Sequence, residues 1–348
     1  MTEHRQGPAG ATATGRERPV VAVVDAPGGG YVVSPDIERR VLGEHAEVRL
    51  VVVPDEERDQ LPHLDADFVI LWHRVPLGAA FFERTKTCRA VVCASVGHDH
   101  VDLEAARAAG VAVHHVPHYG TEEVADHTLA LFLSLARRLP VLERHVRDGG
   151  WDWRSIGDPR RLRGLTWGVS GLGRIGVAVA QRARAFGMDV LFLDPHNHPG
   201  IEKSLGLERV HRLEELIRRS DVVSLHVPLD GETRHLIGER ELRWFRRGSV
   251  LLNTARGAVV DVAALRGALD EERPAWAGLD VVEGEPRVPG WLREHPRALL
   301  TPHAAFYSVE SLSELRARAA EAALQLARSE QVTSAFPVTG PLRDEGSR

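Results

Sequence analysis

The sequence predicts an α/β protein of two doubly wound parallel-sheet domains, Rossmann-like or flavodoxin-like, with a cleft between them. Short apolar β-branched segments alternate with helical patterns along most of the chain, which is typical of parallel sheets covered by helices. The chain of 348 residues is long for one compact core, so two domains are expected. A glycine-rich turn between a predicted strand and a predicted helix lies in the second domain.

The first domain is predicted from five strand-like segments between Pro19 and Pro117. They read VVAVVD, VRLVVV, DFVILW, AVVCAS and VAVHHV. A long helical pattern from about Val309 to Ser329 is expected to return to this domain. The domain is therefore predicted to be discontinuous, with a substrate-binding role, and to comprise residues 19–120 and 305–348.

The second domain, residues 121–304, is predicted to be a dinucleotide-binding Rossmann domain. Its six strand-like segments read LTWGVS, DVLFLD, DVVSLHV, SVLLNTA, AWAGLDVV and ALLTPH. The helical pattern from Thr121 to Leu139 is apolar on most sides, so it is expected to be buried on most sides. The space between the two domains, a subunit interface or the domain core would bury it, and the subunit interface predicts a homodimer.

Composition favours a small-molecule partner in a reducing compartment. The net charge is -5, from 44 basic and 49 acidic residues, which argues against nucleic-acid and membrane partners. The only two cysteines, Cys88 and Cys93, do not form a disulfide framework, so a cytoplasmic location is expected. Residues 1–18 contain no apolar run and are interpreted as a disordered tail.

The segment GLGRIG, Gly171–Gly176, is predicted to bind the pyrophosphate of NAD. A GxGxxG pattern alone is weak, because glycines also serve ordinary turns. Here it follows a strand and opens a helix, and the next strand ends in Asp194. A carboxylate at that position accepts hydrogen bonds from ribose hydroxyls and repels a 2′-phosphate. A simple turn-capping role for Asp194 is the alternative.

Three polar residues directly follow predicted strands and are the candidate catalytic group: Arg256, Glu285 and His303. Ligands of open α/β sheets bind beyond the carboxyl ends of the strands. Reduction of a carbonyl needs a proton donor, a cation for the acid's carboxylate and a group that keeps the donor protonated. Singly, each residue has an ordinary structural explanation; together they indicate an oxidoreductase site.

At these residues the chain resembles the D-isomer-specific 2-hydroxyacid dehydrogenase family. The motifs are GLGRIG, NTARGAVVD, LDVVEGEP and TPHAA, and the resemblance covers about residues 65–310. The C-terminal-binding-protein branch looks closest, through YGTEEVADHTL, RARAFGMDVLFLDP and TPHAAFYS. The resemblance implies a two-domain fold, NAD and a 2-oxo or 2-hydroxy acid substrate.

The resemblance also implies residue roles. His303 resembles the family's acid/base. Glu285, and not the neighbouring Glu283, resembles the carboxylate partner of that histidine. Arg256 resembles the residue that binds the substrate's carboxylate and carbonyl oxygen. Substrate contacts are expected from His73, Val96, Gly97, Arg256 and Phe306. Cofactor contacts are expected from Val96, Thr128, Ser170, Gly171, Leu172, Gly173, Arg174, Ile175, Asp194, His226, Val227, Pro228, Thr233, Thr254, Ala255, Arg256, Asp280 and His303. Asp280 would face the nicotinamide amide, or else cap its strand.

Several positions depart from the branch pattern. Ser95 replaces a usual glycine of the substrate loop, which bears on the geometry of that loop. Phe306 replaces a tryptophan and Cys93 an arginine, so the side-chain pocket is expected to be more apolar or to bind a shorter acid. Within the larger family, formate dehydrogenases lack the glutamate partner of the histidine, and phosphite dehydrogenases have a lysine in the substrate loop. This chain has Glu285 as the partner and Val96 in place of the lysine, so neither activity is favoured. No regulatory domain is seen after residue 330, which argues against a feedback-controlled phosphoglycerate dehydrogenase.

Two further alternatives concern the histidines and the activity. The histidines near His98 and His114 lack cysteine or carboxylate partners at ligand spacing, so no metal is expected. A nucleotide-sensing corepressor-like or scaffold protein with little turnover is the rival function, but the complete catalytic group would be idle in it.

Overall fold

The computed structural model describes residues 17–27, 30–54, 61 and 64–339. The chain divides into two compact units, one of Met1–Tyr119 with Val309–Arg348 and one of Gly120–Ser308. Nearly all of the predicted tail, residues 1–18, lies outside the described residues. Two doubly wound α/β units confirm the predicted fold class.

The first unit is built on a sheet with flavodoxin-like strand order. Its parallel strands are β1 (Val20–Asp25), β2 (Glu47–Val52), β3 (Phe68–Leu71), β4 (Ala90–Cys93) and β5 (Ala112–His115). The described order is β2-β1-β3-β4-β5, and β13 (Phe336–Thr339) adds to β5 in the antiparallel direction. Its helices are α1 (Asp36–Leu42), α2 (Ala79–Arg84), α3 (Leu103–Ala108) and α12 (Val309–Ala327), with a 3-10 turn at Gly43–His45.

Burial explains why the first-unit strands could be read from the sequence. Every residue of β1, β3 and β4 is buried, so these central strands are continuous apolar runs rather than alternating ones. Strand β13 was not predicted, because FPVT is short, contains a proline and pairs only at the sheet edge. Helix α12 packs its small residues, such as Ala319 and Ala323, in the first unit.

A buried ion pair joins α12 to α1 in this unit. The Arg316 guanidinium donates from Nε to Glu38 Oε1 at 2.8 Å and from Nη2 to Oε2 at 2.6 Å. It also donates from Nη2 to the Ser34 carbonyl oxygen at 2.6 Å. The Glu38 side chain is fully buried and that of Arg316 is 12% exposed. Removal of one partner therefore leaves the other buried and uncompensated.

Replacement of Arg316 by methionine is expected to lower the free energy of unfolding by about 3–5 kcal/mol. Urea denaturation followed by circular dichroism measures it. The control is Arg318→Met on the same helix, where the pair with Glu314 is exposed and is expected to contribute less than about 1 kcal/mol. Equal losses in the two variants would contradict the prediction, whereas partial recovery in the double variant Glu38→Gln/Arg316→Met would support it.

The second unit has a Rossmann strand order, and its described strands are all parallel. The strands are β6 (Thr166–Ser170), β7 (Asp189–Leu193), β8 (Glu208–Arg209), β9 (Val222–Leu225), β10 (Val250–Asn253), β11 (Trp276–Leu279) and β12 (Ala298–Leu300). They lie in the order β12-β11-β10-β9-β6-β7-β8, so the order reverses between β6 and β9. Strand β8, a two-residue edge strand, was not predicted; the other six were.

Helices cover this sheet. They are α4 (Thr121–Ala136), α5 (Leu139–Arg147), α6 (Arg174–Ala185), α7 (Ile201–Leu205), α8 (Leu213–Arg219), α9 (Glu239–Leu242), α10 (Val262–Asp270) and α11 (Gly290–Glu294), with 3-10 turns at Trp153–Ile156 and Gly257–Val259. Helix α4 packs against α6, β10 and β11, and its Leu131, Phe132 and Leu135 are in the unit's core. The core position expected as one alternative for this helix is therefore observed.

Candidate active site

The glycine turn lies at the carboxyl end of β6, beside the point where the strand order reverses. Gly171 has a φ of +88°, and a Cβ on it would lie 2.8 Å from the His226 carbonyl oxygen. A Cβ on Gly176 would lie 2.1 Å from the Gly171 carbonyl oxygen. These two glycines are therefore required by the turn itself, which brings the backbone after β6 against the backbone after β9.

Gly173 differs from its neighbours, because a Cβ on it would meet no described atom within 4 Å. It is the N-cap of α6, and no side chain caps the N–H groups of the first turn. An uncapped helix N-terminus with open space beside a glycine suits an anion, since N–H groups and the helix dipole both face it. The residues present thus fit the pyrophosphate of a dinucleotide.

Asp194, at the end of β7, is tied directly to the glycine turn. Its Oδ2 accepts from the Leu172 N–H at 2.8 Å and from Asn197 Nδ2 at 2.9 Å. Its Oδ1 accepts from the His196 N–H at 2.9 Å. Asn197 also donates to the Leu172 carbonyl oxygen at 3.0 Å. Asp194 therefore does cap its own loop, and these bonds hold its carboxylate in one orientation beside the turn. Sequence reasoning missed Asn197.

Two further groups predicted to contact the cofactor follow β9 and β10. The Thr254 hydroxyl shares a hydrogen bond of 2.8 Å with the Thr128 hydroxyl of α4. Burial lowers the pKa of His226 to about 3, so this imidazole is neutral at physiological pH, and its Nε2 lies 2.9 Å from Ser224 Oγ. The predicted contact Thr233 donates through its hydroxyl to the Pro228 carbonyl oxygen at 2.7 Å.

Arg256 is positioned by a buried asparagine and a glycine. Asn253 accepts from the Ala255 N–H at 3.0 Å and donates to the Arg256 carbonyl oxygen at 2.9 Å. A Cβ on Gly257 would lie 2.2 Å from the Val282 carbonyl carbon, so only glycine allows this loop to approach the one after β11. Sequence reasoning did not single out Asn253 or Gly257, although both lie in the NTARG motif.

His303 and Glu285 form a hydrogen-bonded pair. The Glu285 Oε1 lies 2.5 Å from His303 Nδ1, and the side chains are 35% and 22% exposed. The Glu285 Oε2 accepts from the Val282 N–H at 3.0 Å. Burial acts to raise the pKa of Glu285, but the bond to His303, the Val282 amide and the nearby Arg256 charge hold it below its usual value. Arg256, Glu285 and His303 are thus brought together.

Asp280 holds the His303 segment in place. Its Oδ1 accepts from the Ala304 N–H at 2.9 Å and from the Thr301 hydroxyl at 2.6 Å, and its Oδ2 from the Ala305 N–H at 2.9 Å. The His303 N–H donates to the Asp280 carbonyl oxygen at 2.8 Å. These bonds match the capping alternative for Asp280, and they stabilise the left-handed φ of +53° at His303.

Glu283 has other partners. It accepts from Arg234 Nη1 at 2.9 Å and lies 2.9 Å from His235 Nε2. The two glutamates of the VVEGEP segment therefore pair with different histidines, as the prediction of Glu285 as the partner requires.

The remaining predicted substrate contacts belong to two different units. His73 follows β3 in the first unit, with its ring 5.4 Å from that of Tyr31. Val96 and Gly97 follow β4, where Ser95 Oγ donates to the Gly97 carbonyl oxygen at 2.5 Å. The serine that replaces the usual glycine therefore bonds within the loop. Phe306 lies in the second unit, 9% exposed.

In the described part of the chain, no group of three or more His, Cys, Asp or Glu side chains is arranged to hold a metal ion. No helix within the same residues combines the length and the apolar character needed to cross a membrane.

Comparison with known proteins adds relatives of known activity. Residues 129–305 match the family model for the NAD-binding domain of D-isomer-specific 2-hydroxyacid dehydrogenases. A glyoxylate reductase of Korarchaeum cryptofilum is 41% identical over 76% of this chain and 81% of the relative, and one of Aeropyrum pernix is 40% identical over 74% and 78%. The structure of an Aquifex aeolicus D-lactate dehydrogenase, complexed with NAD and lactic acid, is similar with a TM-score of 0.80, at 29% identity over 92% of this chain and 99% of that one.

Proposed function

Because the chain belongs to the D-isomer-specific 2-hydroxyacid dehydrogenase family, we propose that it reduces a small 2-oxo acid to the D-2-hydroxy acid, with His303 as the proton donor. It is an NAD-dependent oxidoreductase that acts on a CH–OH group. The convergence of His303, Glu285 and Arg256 carries the proposal, because these side chains come from three separate loops of the second unit.

The proposed roles follow from charge and geometry. Arg256 binds the carboxylate and the carbonyl oxygen of the acid, since a planar guanidinium offers paired donors to such oxygens. His303 delivers a proton to that oxygen as it gains charge. Glu285 holds the imidazole through Nδ1, which leaves Nε2 as the atom that faces the substrate. The bound cofactor supplies the hydride at nicotinamide C4.

A small substrate is proposed from the relatives and from the residues at predicted contact positions. Two relatives are glyoxylate reductases, and a structurally similar protein is a D-lactate dehydrogenase. We propose that Phe306 and His73 contact the substrate side chain, and that the Val96 and Gly97 amides bind its carboxylate. The particular branch, that of C-terminal-binding proteins, stays a prediction.

The glycine turn and Asp194 are proposed to hold the pyrophosphate and the adenosine ribose, with Thr128, Thr254 and His226 near the rest of the cofactor. Asp280 accepts hydrogen bonds from the backbone that follows His303. We propose that its main role is to hold that segment in position.

Replacement of Gly173 by alanine is expected to raise the Kd for NADH about tenfold without lowering the unfolding midpoint. The added Cβ meets no described protein atom within 4 Å, but it enters the space proposed for the pyrophosphate. Fluorescence titration with NADH and thermal unfolding measure the two effects. The control is Gly267→Ala in α10, where a Cβ also meets nothing described. Unchanged NADH affinity in Gly173→Ala would place the pyrophosphate elsewhere.

A homodimer is proposed from an apolar surface on α5 and the turn that follows it. Trp151 and Trp153 are 90% and 74% exposed, and Leu139 and Val146 are about half exposed. Exposed aromatic and aliphatic groups in one region mark an association surface, and a second copy of the chain is the proposed occupant. Sedimentation should give a dimer for the unmodified chain and a monomer for Trp151→Ser/Trp153→Ser. A dimer in both would exclude this surface.

Turnover with a panel of 2-oxo acids tests the proposed function. We expect NADH oxidation with glyoxylate, pyruvate or hydroxypyruvate. NADH binding without turnover of any acid would favour the nucleotide-sensing scaffold instead. The proposed cytoplasmic location fits two free, buried cysteines.

A further inference from the structure

A cavity of about 770 Å³ lies beside Asp194, at the carboxyl end of β7 and along β8. Its lining includes Asp194, Glu202, Glu208 and Arg209. Asp194 and Glu202 contribute carboxylates to the cavity, and Arg209 contributes a guanidinium. The Glu208 carboxylate is paired with Arg219, with Nη2 and Oε1 2.7 Å apart. Because the cavity adjoins the proposed ribose position, a 2′-phosphate on that ribose would meet these charges.

The Arg209 guanidinium is used to hold the loop that carries Asp194. It donates to the carbonyl oxygens of Asp194 at 3.0 Å, Asn197 at 3.4 Å and His198 at 2.9 Å. It also lies over the Phe192 ring, 4.8 Å from the centroid. With a side chain only 13% exposed, Arg209 is fixed between β8 and the loop and helps to fix the Asp194 carboxylate.

Glu202 neutralises that guanidinium. Its Oε2 accepts from Arg209 Nε at 3.1 Å, and its Oε1 accepts from the Gly200 N–H at 3.0 Å. Hydrogen bonds from its own backbone N–H and from Gly200, and the Arg209 charge, hold the pKa of Glu202 below its usual value. Glu202 is therefore ionised at neutral pH, and the Arg209 charge, which lies 3.0 Å from the Asp194 carbonyl oxygen, is compensated from within the chain.

We propose that the Glu202–Arg209 pair is a selectivity element for NADH against NADPH. Arg209 keeps Asp194 in place for ribose hydroxyls, and Glu202 cancels the charge that would otherwise attract a 2′-phosphate. The adenosine ribose of NADH is uncharged, so this device discriminates between the two cofactors by the phosphate alone. The inference rests on the proposed position of the ribose at Asp194.

Replacement of Glu202 by glutamine tests the proposal, because an amide oxygen still accepts from Gly200 but carries no charge. Equilibrium titrations of the full chain with NADH and NADPH should show the ratio of the NADPH Kd to the NADH Kd fall by about tenfold at low ionic strength. This relative gain in NADPH affinity should be smaller at higher salt concentration, because the effect is electrostatic. In an Arg209→Met background Glu202→Gln should have no such effect, because the attracting cation is already lost, so Arg209→Met and Glu202→Gln/Arg209→Met should give the same ratio.

The control is Glu214→Gln, which removes a carboxylate on α8 that pairs with Arg218 of that helix and with its N-cap residue Arg212, outside the cavity lining. Its Kd ratio should not change. An unchanged ratio in Glu202→Gln, or a gain that persists without Arg209, would overturn the proposal. The titrations measure binding and do not depend on turnover. If the chain binds NADH but reduces no oxo acid, the proposed reaction is refuted, and the ratio of the two Kd values still tests the selectivity proposal.

Discussion

Replacement of His303 by asparagine is expected to lower kcat for 2-oxo acid reduction by about 10²–10⁴-fold, the usual contribution of a positioned general acid. The imidazole is the group that Glu285 holds at 2.5 Å, and an amide cannot deliver a proton in its place. Steady-state assays with saturating NADH measure the loss.

Asparagine is the substitution of choice because of the backbone at this position. His303 has a φ of +53°, a left-handed conformation that asparagine tolerates better than most residues. The Asp280 bonds to the Ala304 and Ala305 amides do not involve the imidazole, so they should persist. The loss can then be assigned to the side chain rather than to a displaced loop.

His235 offers a matched control. It also pairs with a glutamate, Glu283, and also has a left-handed φ, of +52°. Because His235 belongs to the other histidine–glutamate pair, His235→Asn should keep kcat within about threefold, less than the smallest effect of a general acid. Similar losses in the two variants would show that the loops, and not the His303 proton, limit the reaction.

Replacement of Arg256 by glutamine is expected to lower kcat/KM for the oxo acid by about 10²–10³-fold, the scale found for loss of one donor to a developing oxyanion. Arg256→Lys should recover little, because an ammonium cannot offer the paired planar donors of a guanidinium. The measurement is the dependence of rate on oxo acid concentration at fixed NADH.

Arg234 provides the comparison for this substitution. Its side chain is 57% exposed and pairs with Glu283 rather than with Glu285. Arg234→Gln should therefore change kcat/KM by no more than about threefold, consistent with a surface pair. If Arg256→Lys matched the unmodified chain, charge alone would suffice and paired hydrogen bonding by Arg256 would be refuted.

Much of the fold was predictable because parallel strands with both faces covered leave a strong sequence signal. Strand β1 was predicted at its observed bounds, and α4 began at the predicted Thr121. The edge strands β8 and β13 were missed, since a two-residue strand and a proline-containing one carry little periodic signal. The last helical pattern was expected to end at Ser329, and α12 ends at Ala327.

The candidate catalytic residues were predictable because strand ends of a parallel sheet gather at one edge, whatever their separation in the chain. Their supports were not. Asn253 and Asn197 act through bonds to neighbouring backbone, and Gly257 acts through a close approach to Val282. Such roles depend on tertiary contacts that no local pattern encodes. The same holds for Arg209, whose role depends on its hydrogen bonds to the loop that follows β7.

Transfer of deuterium from NADH labelled at nicotinamide C4 tests most directly whether this chain is a D-2-hydroxyacid dehydrogenase. With an oxo acid whose product has a stereocentre at C2, such as pyruvate, and each of the two C4-labelled forms supplied in turn, one form should give a D-2-hydroxy acid that carries deuterium at C2. The same product should form far more slowly in His303→Asn. A product without deuterium from either form, or one of L configuration, would contradict the account.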